Sequence, residues 1–345
     1  MDLPQLPREA DAVFEGGGVK GIAFAGAIKV AEQAGVQEWK NVAGTSAGAI
    51  AACLLAAGYH AADLDRIMTV KYRQFADYGL GGLPRGVVNS LWMRGLAPGR
   101  FFTQWLKGHL AESPLGKTLD GREPTFADVV RKDLPADLTD DERRRALYRL
   151  RVIASDVTAG RMLVLPYDIE GFSLTKSGPK LAPDTLTLTQ AVRMSMSFPF
   201  LYTPVTLWEG ARPHFIVDGG LLSNFPVWLF DSGGTRRPAR PTWGFRVHGG
   251  TELEEPTPNR PIRLPLWRLA LAKAMFQAAS EAWDRDRATR AQTVRTVDIP
   301  TGRISTTDFN LSDEDAAFLR TSGEDSARRF FASQDTKEYL EEIRA

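Results

Sequence analysis

The chain has 345 residues, 43% of them hydrophobic and 25% charged, with a formal net charge of +1. That is ordinary globular composition with enough chain to bury a large core, and length alone permits one α/β domain or two. The near-neutral balance argues against a nucleic-acid partner; the contiguous Arg143, Arg144 and Arg145 and the pair Arg236 and Arg237 read as solvated loops or helix ends.

Cys53 is the single cysteine, so no intrachain disulfide can form and nothing in the sequence is adapted to an oxidising compartment. It sits among small apolar residues and reads as packing. Residues Met1 to Ala10 are polar and contain prolines, without the basic region and apolar run of a signal peptide. No apolar run approaches the roughly 20 residues that span a bilayer, so no transmembrane segment is expected. A cytoplasmic location is the expectation, with signal-independent export left open.

In chain order, Ala12 to Phe14 reads as a short buried strand running into Glu15-Gly16-Gly17-Gly18-Val19-Lys20-Gly21. A helical pattern follows from Ile22 to Gln33, with Gly35 as its stop. Asn41 to Ala43 is a second strand; it meets Gly44-Thr45-Ser46-Ala47-Gly48 and a further helix to about Ala57, stopped by Gly58. Strand, glycine loop, helix, strand, sharp turn, helix is the alternation of a parallel α/β sheet. Tyr72 to Leu110, aromatic and basic with glycine punctuation, reads as irregular structure and short helices beside the site. Asp120 to Leu147 reads as an exposed helix pair with loops. Arg151 to Ala154 and Met162 to Leu165 form a predicted hairpin, and Leu188 to Ser197 a helix. Phe215 to Val217 is a strand entering Asp218-Gly219-Gly220, and Trp243 to Val247 another. Trp267 to about Arg290 reads as a long amphipathic helix, Val294 to Ile299 as a last strand, and Ser312 to Phe331 as a closing helix.

Gly44-x-Ser46-x-Gly48 between a strand and a helix is the setting of a nucleophile on a strained turn, with small neighbours because other segments pack close on both sides. The helix after Ser46 points its amide end at the reaction centre, which favours an alkoxide or oxyanion by roughly 0.3 to 2 kcal/mol. The Ala47 amide is placed to donate to that oxyanion. Gly16, Gly17 and Gly18 offer further amides with no side chain in the way; losing one such donor typically costs about 3 kcal/mol of barrier. Gly16-x-Gly18-x-x-Gly21 also matches a dinucleotide fingerprint, but that site wants an acidic residue ending the second strand, and this strand ends in Gly44-Thr45-Ser46. Glu38, near the right count, precedes the strand.

A serine hydroxyl needs a base. None of His60, His109, His214 and His248 lies in a recognisable base motif. Asp218, after an apolar strand, stands where parallel sheets place catalytic groups at strand ends; a structural aspartate in a turn fits the same residues equally well.

Together, Gly16-Gly17-Gly18-Val19-Lys20-Gly21, Gly44-Thr45-Ser46-Ala47-Gly48 and Asp218-Gly219-Gly220 resemble the patatin-like phospholipase family. Ala154-Ser155-Asp156-Val157 with Gly160, and the run Ala191 to Pro204 containing Ser195-Met196-Ser197-Phe198-Pro199, resemble it too. The resemblance spans roughly Ala12 to Val247. It implies a three-layer α/β/α fold with a mostly parallel central sheet. It also implies a single domain over 1–345, with its core at about 10–250 and helices and a strand of 251–345 packed on it. The implied activity is hydrolysis of phospholipid or other lipid acyl esters, of the phospholipase A or lysophospholipase type, with no cofactor and no metal. Carried over by motif, Ser46 is the nucleophile, Asp218 the general base, and Gly17 and Gly18 line the oxyanion hole with Ala47; Gly16, Gly21, Gly44, Gly48, Gly219 and Gly220 are the motif glycines. A carboxylate base is weaker than imidazole unless desolvated, which favours esters over amides.

Two other readings stay open. One is a Ser46–Asp218–His248 triad esterase, since His248 follows a predicted strand. The other is a catalytically silent lipid-binding or regulatory protein on the same scaffold. Peripheral membrane contact is a further expectation: aromatic and basic residues between Tyr72 and Lys107, with Phe198-Pro199-Phe200-Leu201-Tyr202, suit an interfacial rim, and equally a buried cap.

Overall fold

Short apolar strands flanked by alanine-rich helices build the centre of the molecule. The computed structural model describes residues 3–69, 74, 97–199, 201–231, 238–249, 293–306 and 308–344. Among these, β1 (Glu9–Phe14), β2 (Glu38–Thr45), β3 (Leu150–Asp156), β7 (Thr242–His248) and β8 (Thr296–Pro300) form a parallel block in the order β3-β2-β1-β7-β8. β4 (Arg161–Leu165), β5 (Val205–Glu209) and β6 (Arg212–Asp218) add antiparallel pairs. The fold is mixed α/β, the sheet mostly parallel, with helices around it. β1 and β3 are buried along nearly their whole length, as parallel strands covered on both faces must be.

Helices α1 (Ile22–Gln33) and α2 (Ala47–Ala56) follow the two glycine turns, as the sequence predicts. Every residue of α2 is buried, which suits a helix made of Ala, Gly, Ile, Leu and Cys. Gly35 and Gly58, at φ +123° and +91°, lie just beyond these helices. The remaining described helices are α3 (Ala61–Met68), α4 (Arg100–Glu112), α5 (Asp140–Ala146), α6 (Leu188–Ser195), α7 (Asp313–Phe331) and α8 (Gln334–Arg344). α7 crosses α1 backbone to backbone: a Cβ on Gly26 would stand 2.2 Å from the Arg320 carbonyl oxygen, and one on Gly323 2.0 Å from that of Ala23. Large apolar side chains from sheet and helices, among them Phe14, Phe24, Phe245 and Phe331, form one core cluster. On the other face of β1 and β2, Val13 and Ala43 pack against Phe225 to Phe230.

Several sequence expectations are corrected here. Asp120 to Leu147 holds one helix, α5, and a 3-10 turn over Phe126–Val129, rather than a helix pair. Residues 100–112 form a continuous helix with Phe102, Leu106 and Leu110 buried on one stripe. β5 and α8 were not anticipated. The expected helix at 267–290 and most of 72–96 lie outside the described residues.

One feature of register positions the site. β4 pairs with β3 from Val152 to Asp156. β2 pairs with Leu150 to Ile153, and β6 with Ala154 to Asp156. Both overlap β4, and a strand has two edges, so β2 and β6 share the edge opposite β4. Thr45 faces Ile153 and Asp218 faces Ala154, in successive rows. The C-terminal ends of β2 and β6 therefore meet head-on. Asp218 ends a strand antiparallel to its neighbour, where the sequence reading expected a parallel one; strand direction is set by distant pairing rather than local pattern.

Candidate active site

Ser46 is where β2 must leave the sheet, because β6 occupies the next row. Its backbone has φ +54° and ψ −124°, outside the regions open to ordinary L-residues, a strain of about 1–3 kcal/mol. Several contacts hold it there. The Ser46 amide donates to Ser195 Oγ at 2.8 Å. Its carbonyl accepts from the Ala49 and Ile50 amides as α2 begins. Gly44 and Gly48 let the turn close: a Cβ on Gly44 would lie 2.3 Å from the Gly48 carbonyl, and one on Gly48 2.3 Å from the Phe14 carbonyl oxygen. Behind the turn, Thr45 Oγ1 donates to the Ser223 carbonyl at 3.0 Å.

The Asp218 side chain is 1% exposed. Its own amide donates to the Ser197 carbonyl at 2.9 Å, and its Oδ1 accepts from the Gly220 amide at 2.8 Å. A Cβ on Gly219 would stand 2.2 Å from the Ile153 carbonyl oxygen, so only glycine lets this turn lie against β3. Oδ2 is buried without a hydrogen bond of normal geometry. The Ser46 hydroxyl nevertheless lies near enough to favour the carboxylate; it points to Met196 Sδ, 3.6 Å away. Burial pushes the Asp218 carboxyl up to about 7, against the lowering influence of the Ser46 hydroxyl and the Gly220 amide.

The first glycine loop runs alongside. Gly18 has φ +54°, and a Cβ there would be 2.1 Å from the Thr306 carbonyl oxygen. The Gly17 and Gly18 amides donate to no protein acceptor among the described residues, whereas the Gly16 amide donates to the Asn224 carbonyl at 3.0 Å. Asn224 closes the exchange by donating from Nδ2 to the Gly16 carbonyl at 3.0 Å. Glu15 accepts from the Val247 amide at 2.8 Å and holds the loop to β7. Gly21 sits where a Cβ would come within 3.2 Å of Ala47. Lys20 is buried and donates to the Gly249 carbonyl, so its ammonium serves the loop's anchoring.

Ser46 opens into a cleft with an almost wholly apolar wall: Val19, Ile50, Met68, Trp105, Met196, Phe198, Leu201, Tyr202 and Phe309 line it, with Gly18 and Ala47 at the serine. Counted out to its mouth, open solvent included, it encloses about 620 Å³. Of the expected aromatic rim, Trp105, Phe198, Leu201 and Tyr202 thus face this cleft; Trp92 lies outside the described residues. His248 is exposed at the end of β7, two strands from β2, and does not line the cleft. His214 is buried elsewhere, with Nδ1 2.7 Å from Asp156 Oδ2.

Sequence reasoning gave no role to Ser195, Met196 or Asn224. Ser195 and Met196 lay in a stretch noted only for its resemblance to a family, and their contacts with Ser46 join segments about 150 residues apart. No local pattern encodes that meeting.

This is a mixed α/β fold with a serine on a strained strand-to-helix turn beside a buried carboxyl. Residues 12–231 match the patatin-like phospholipase family, and the chain belongs to that family. It is 32% identical over 308 residues to the uncharacterized protein YqhO of Bacillus subtilis (strain 168), covering 88% of this chain and 91% of that one. Among solved structures, VipD from Legionella pneumophila superposes with a TM-score of 0.50 at 19% identity, over 94% of this chain and 67% of VipD. The type III effector ExoU of Pseudomonas aeruginosa gives 0.47 at 18% identity; the chain spans about half of it, 54%. At such identities the likeness to VipD is one of fold. Family membership supports a lipid acyl hydrolase.

Proposed function

We propose that the protein hydrolyses acyl esters of phospholipids or lysophospholipids, with Ser46 as nucleophile and Asp218 as general base. The observation that carries this is the strained Ser46 hydroxyl between an apolar cleft and a buried carboxyl poised near pH 7. Rotation about the serine Cα–Cβ bond moves the hydroxyl from Met196 to Asp218, which takes its proton as the oxygen attacks the ester carbonyl. A carboxylate at its ordinary value would be a poor proton acceptor; desolvation makes this one stronger. The tetrahedral oxyanion is received by the Gly17, Gly18 and Ala47 amides, at the starts of α1's leading turn and of α2. Asp218 then protonates the leaving alkoxide, leaving an acyl group on Ser46. Water, deprotonated by the same carboxylate, releases the fatty acid. The cleft wall suits the acyl chain of such an ester.

The chain is read as one domain, since α7 is seated on α1 without intervening space. A cytoplasmic location with peripheral membrane contact completes the reading; no described helix is long and apolar enough to cross a membrane. The triad alternative is disfavoured by the exposed position of His248 on β7. The test is labelling by a fluorophosphonate probe, together with release of fatty acid from a panel of phospholipids, lysophospholipids and neutral esters. Labelling and hydrolysis are expected in the parent protein and absent in a folded Ser46→Ala variant. A folded parent protein that neither labels nor hydrolyses any panel member is instead the silent lipid-binding protein.

A further inference from the structure

We propose that Met196 is an oxidation site through which a peroxide reversibly silences Ser46. The inference rests on the nucleophile reading above and adds a modification site to it. Met196 caps α6 and packs only partly against the core, with its side chain on the cleft wall. Its thioether is the acceptor of the Ser46 hydroxyl, at 3.6 Å. A thioether is a weak acceptor, so this contact leaves the hydroxyl free to turn to Asp218. Anything reaching Ser46 through the cleft also reaches this sulfur.

Among the described residues, the other candidate targets are poorly placed. Met68 shares the cleft wall but is only 2% exposed, and Met194 is 1% exposed. Met162 lies on β4, which pairs with the edge of β3 away from β2. Cys53 is fully buried, its thiol pushed up to about 12 by desolvation, so it offers no thiolate to an oxidant.

A peroxide transfers one oxygen to Met196 Sδ: the O–O bond breaks, an S–O bond forms, sulfur is oxidised to the sulfoxide, and the peroxide is reduced to water or an alcohol. The new oxygen is a strong acceptor on the atom that already faces Ser46 Oγ. It holds the hydroxyl proton away from Asp218 and puts a polar atom into the apolar cleft where the acyl chain enters. Reduction by a methionine sulfoxide reductase removes that oxygen as water, with two thiols becoming a disulfide, and restores the thioether.

The experiment follows fluorophosphonate labelling rate, with peptide mass spectrometry of each methionine, before and after hydrogen peroxide. The parent protein, Met196→Leu and Met196→Gln are compared, each treated sample against its own untreated one. Oxidised parent protein is expected to label at least about fivefold more slowly, in proportion to the one-oxygen gain at residue 196, as a strengthened hydrogen bond to the hydroxyl implies. Reductase treatment restores the rate, and Met196→Leu keeps its own rate through peroxide. Met196→Gln, with a permanent acceptor at this position, labels slowly without any peroxide. Parent protein carrying Met196 sulfoxide and labelling within twofold of untreated overturns the proposal, as does an equal loss in peroxide-treated Met196→Leu. Untreated parent protein that does not label defeats the nucleophile reading itself, so the two failures are told apart.

Discussion

Asp218→Asn should stabilise the protein while abolishing its hydrolysis, and the stabilisation should depend on pH. The substitution keeps the side chain's shape and the Gly220 bond to Oδ1, and removes the charge from a fully buried site. The carboxyl moves from an ordinary 3.8 to about 7 on folding. The native state therefore binds this proton more tightly than the unfolded chain does, and stability falls as pH rises between those two values. The loss is absent below about pH 4, grows through the window and is complete above about pH 7. Three units at 1.36 kcal/mol each give a ceiling of about 4 kcal/mol, and relaxation around the site brings the measurable gain to about 1–4 kcal/mol.

Urea unfolding of both proteins at pH 4 and pH 8 isolates this group, because the other titrations are common to both. The variant's advantage should appear at pH 8 and vanish at pH 4. Hydrolysis by the parent protein should rise through about pH 7 as the base loses its proton, and the variant should lose it at every pH. An advantage equal at both pH values refutes the buried-charge argument. Hydrolysis within tenfold of the parent removes Asp218 as the base.

Two further outcomes are expected. Ser195→Ala leaves the half-buried Ser46 amide without its acceptor, at a cost of about 1 kcal/mol, and frees the strained turn; kcat should fall at least tenfold with a smaller change in KM, and an unchanged kcat removes the positioning role. His248→Ala should retain hydrolysis within about threefold in the same steady-state assay, whereas near-total loss restores the triad.

The candidate site was legible in the sequence where local backbone constraint writes it. Gly44 is demanded by the closeness of its turn to the first residues of α2, Gly48 by the approach of α2 to β1, and Gly219 by the approach of its turn to β3. Those close contacts leave glycine as a readable trace beside Ser46 and Asp218. β5 was missed although Val205 and Leu207 pair with Ile216 and His214 on one face, because the strand is five residues long and follows a proline. Nothing local tells that β6 runs against β3. That depends on which edge of β3 is vacant after Ile153. Ser195 and Asn224 have no pattern of their own, since each acts through hydrogen bonds to a turn distant in the chain.

That contact pattern explains how two residues from separate strands are held in register without a histidine between them. The end of α6 and the two residues after it touch both. Ser195 accepts from the Ser46 amide, Met196 accepts from the Ser46 hydroxyl, and the Ser197 carbonyl accepts from the Asp218 amide. Three consecutive residues thus fix the backbone of the hydroxyl bearer, the hydroxyl's resting direction and the backbone of the carboxyl bearer. β3 fixes the same pair from the other side, through Ile153 opposite Thr45 and Ala154 opposite Asp218. An imidazole in a triad bridges a nucleophile and a carboxylate that are placed independently. Here the end-to-end meeting of β2 and β6 leaves no row for a bridging residue, and the distance is set by one step along β3. In the proposed reading, the two-residue arrangement follows from strand register, and desolvation of Asp218 supplies the basicity that an imidazole would otherwise bring.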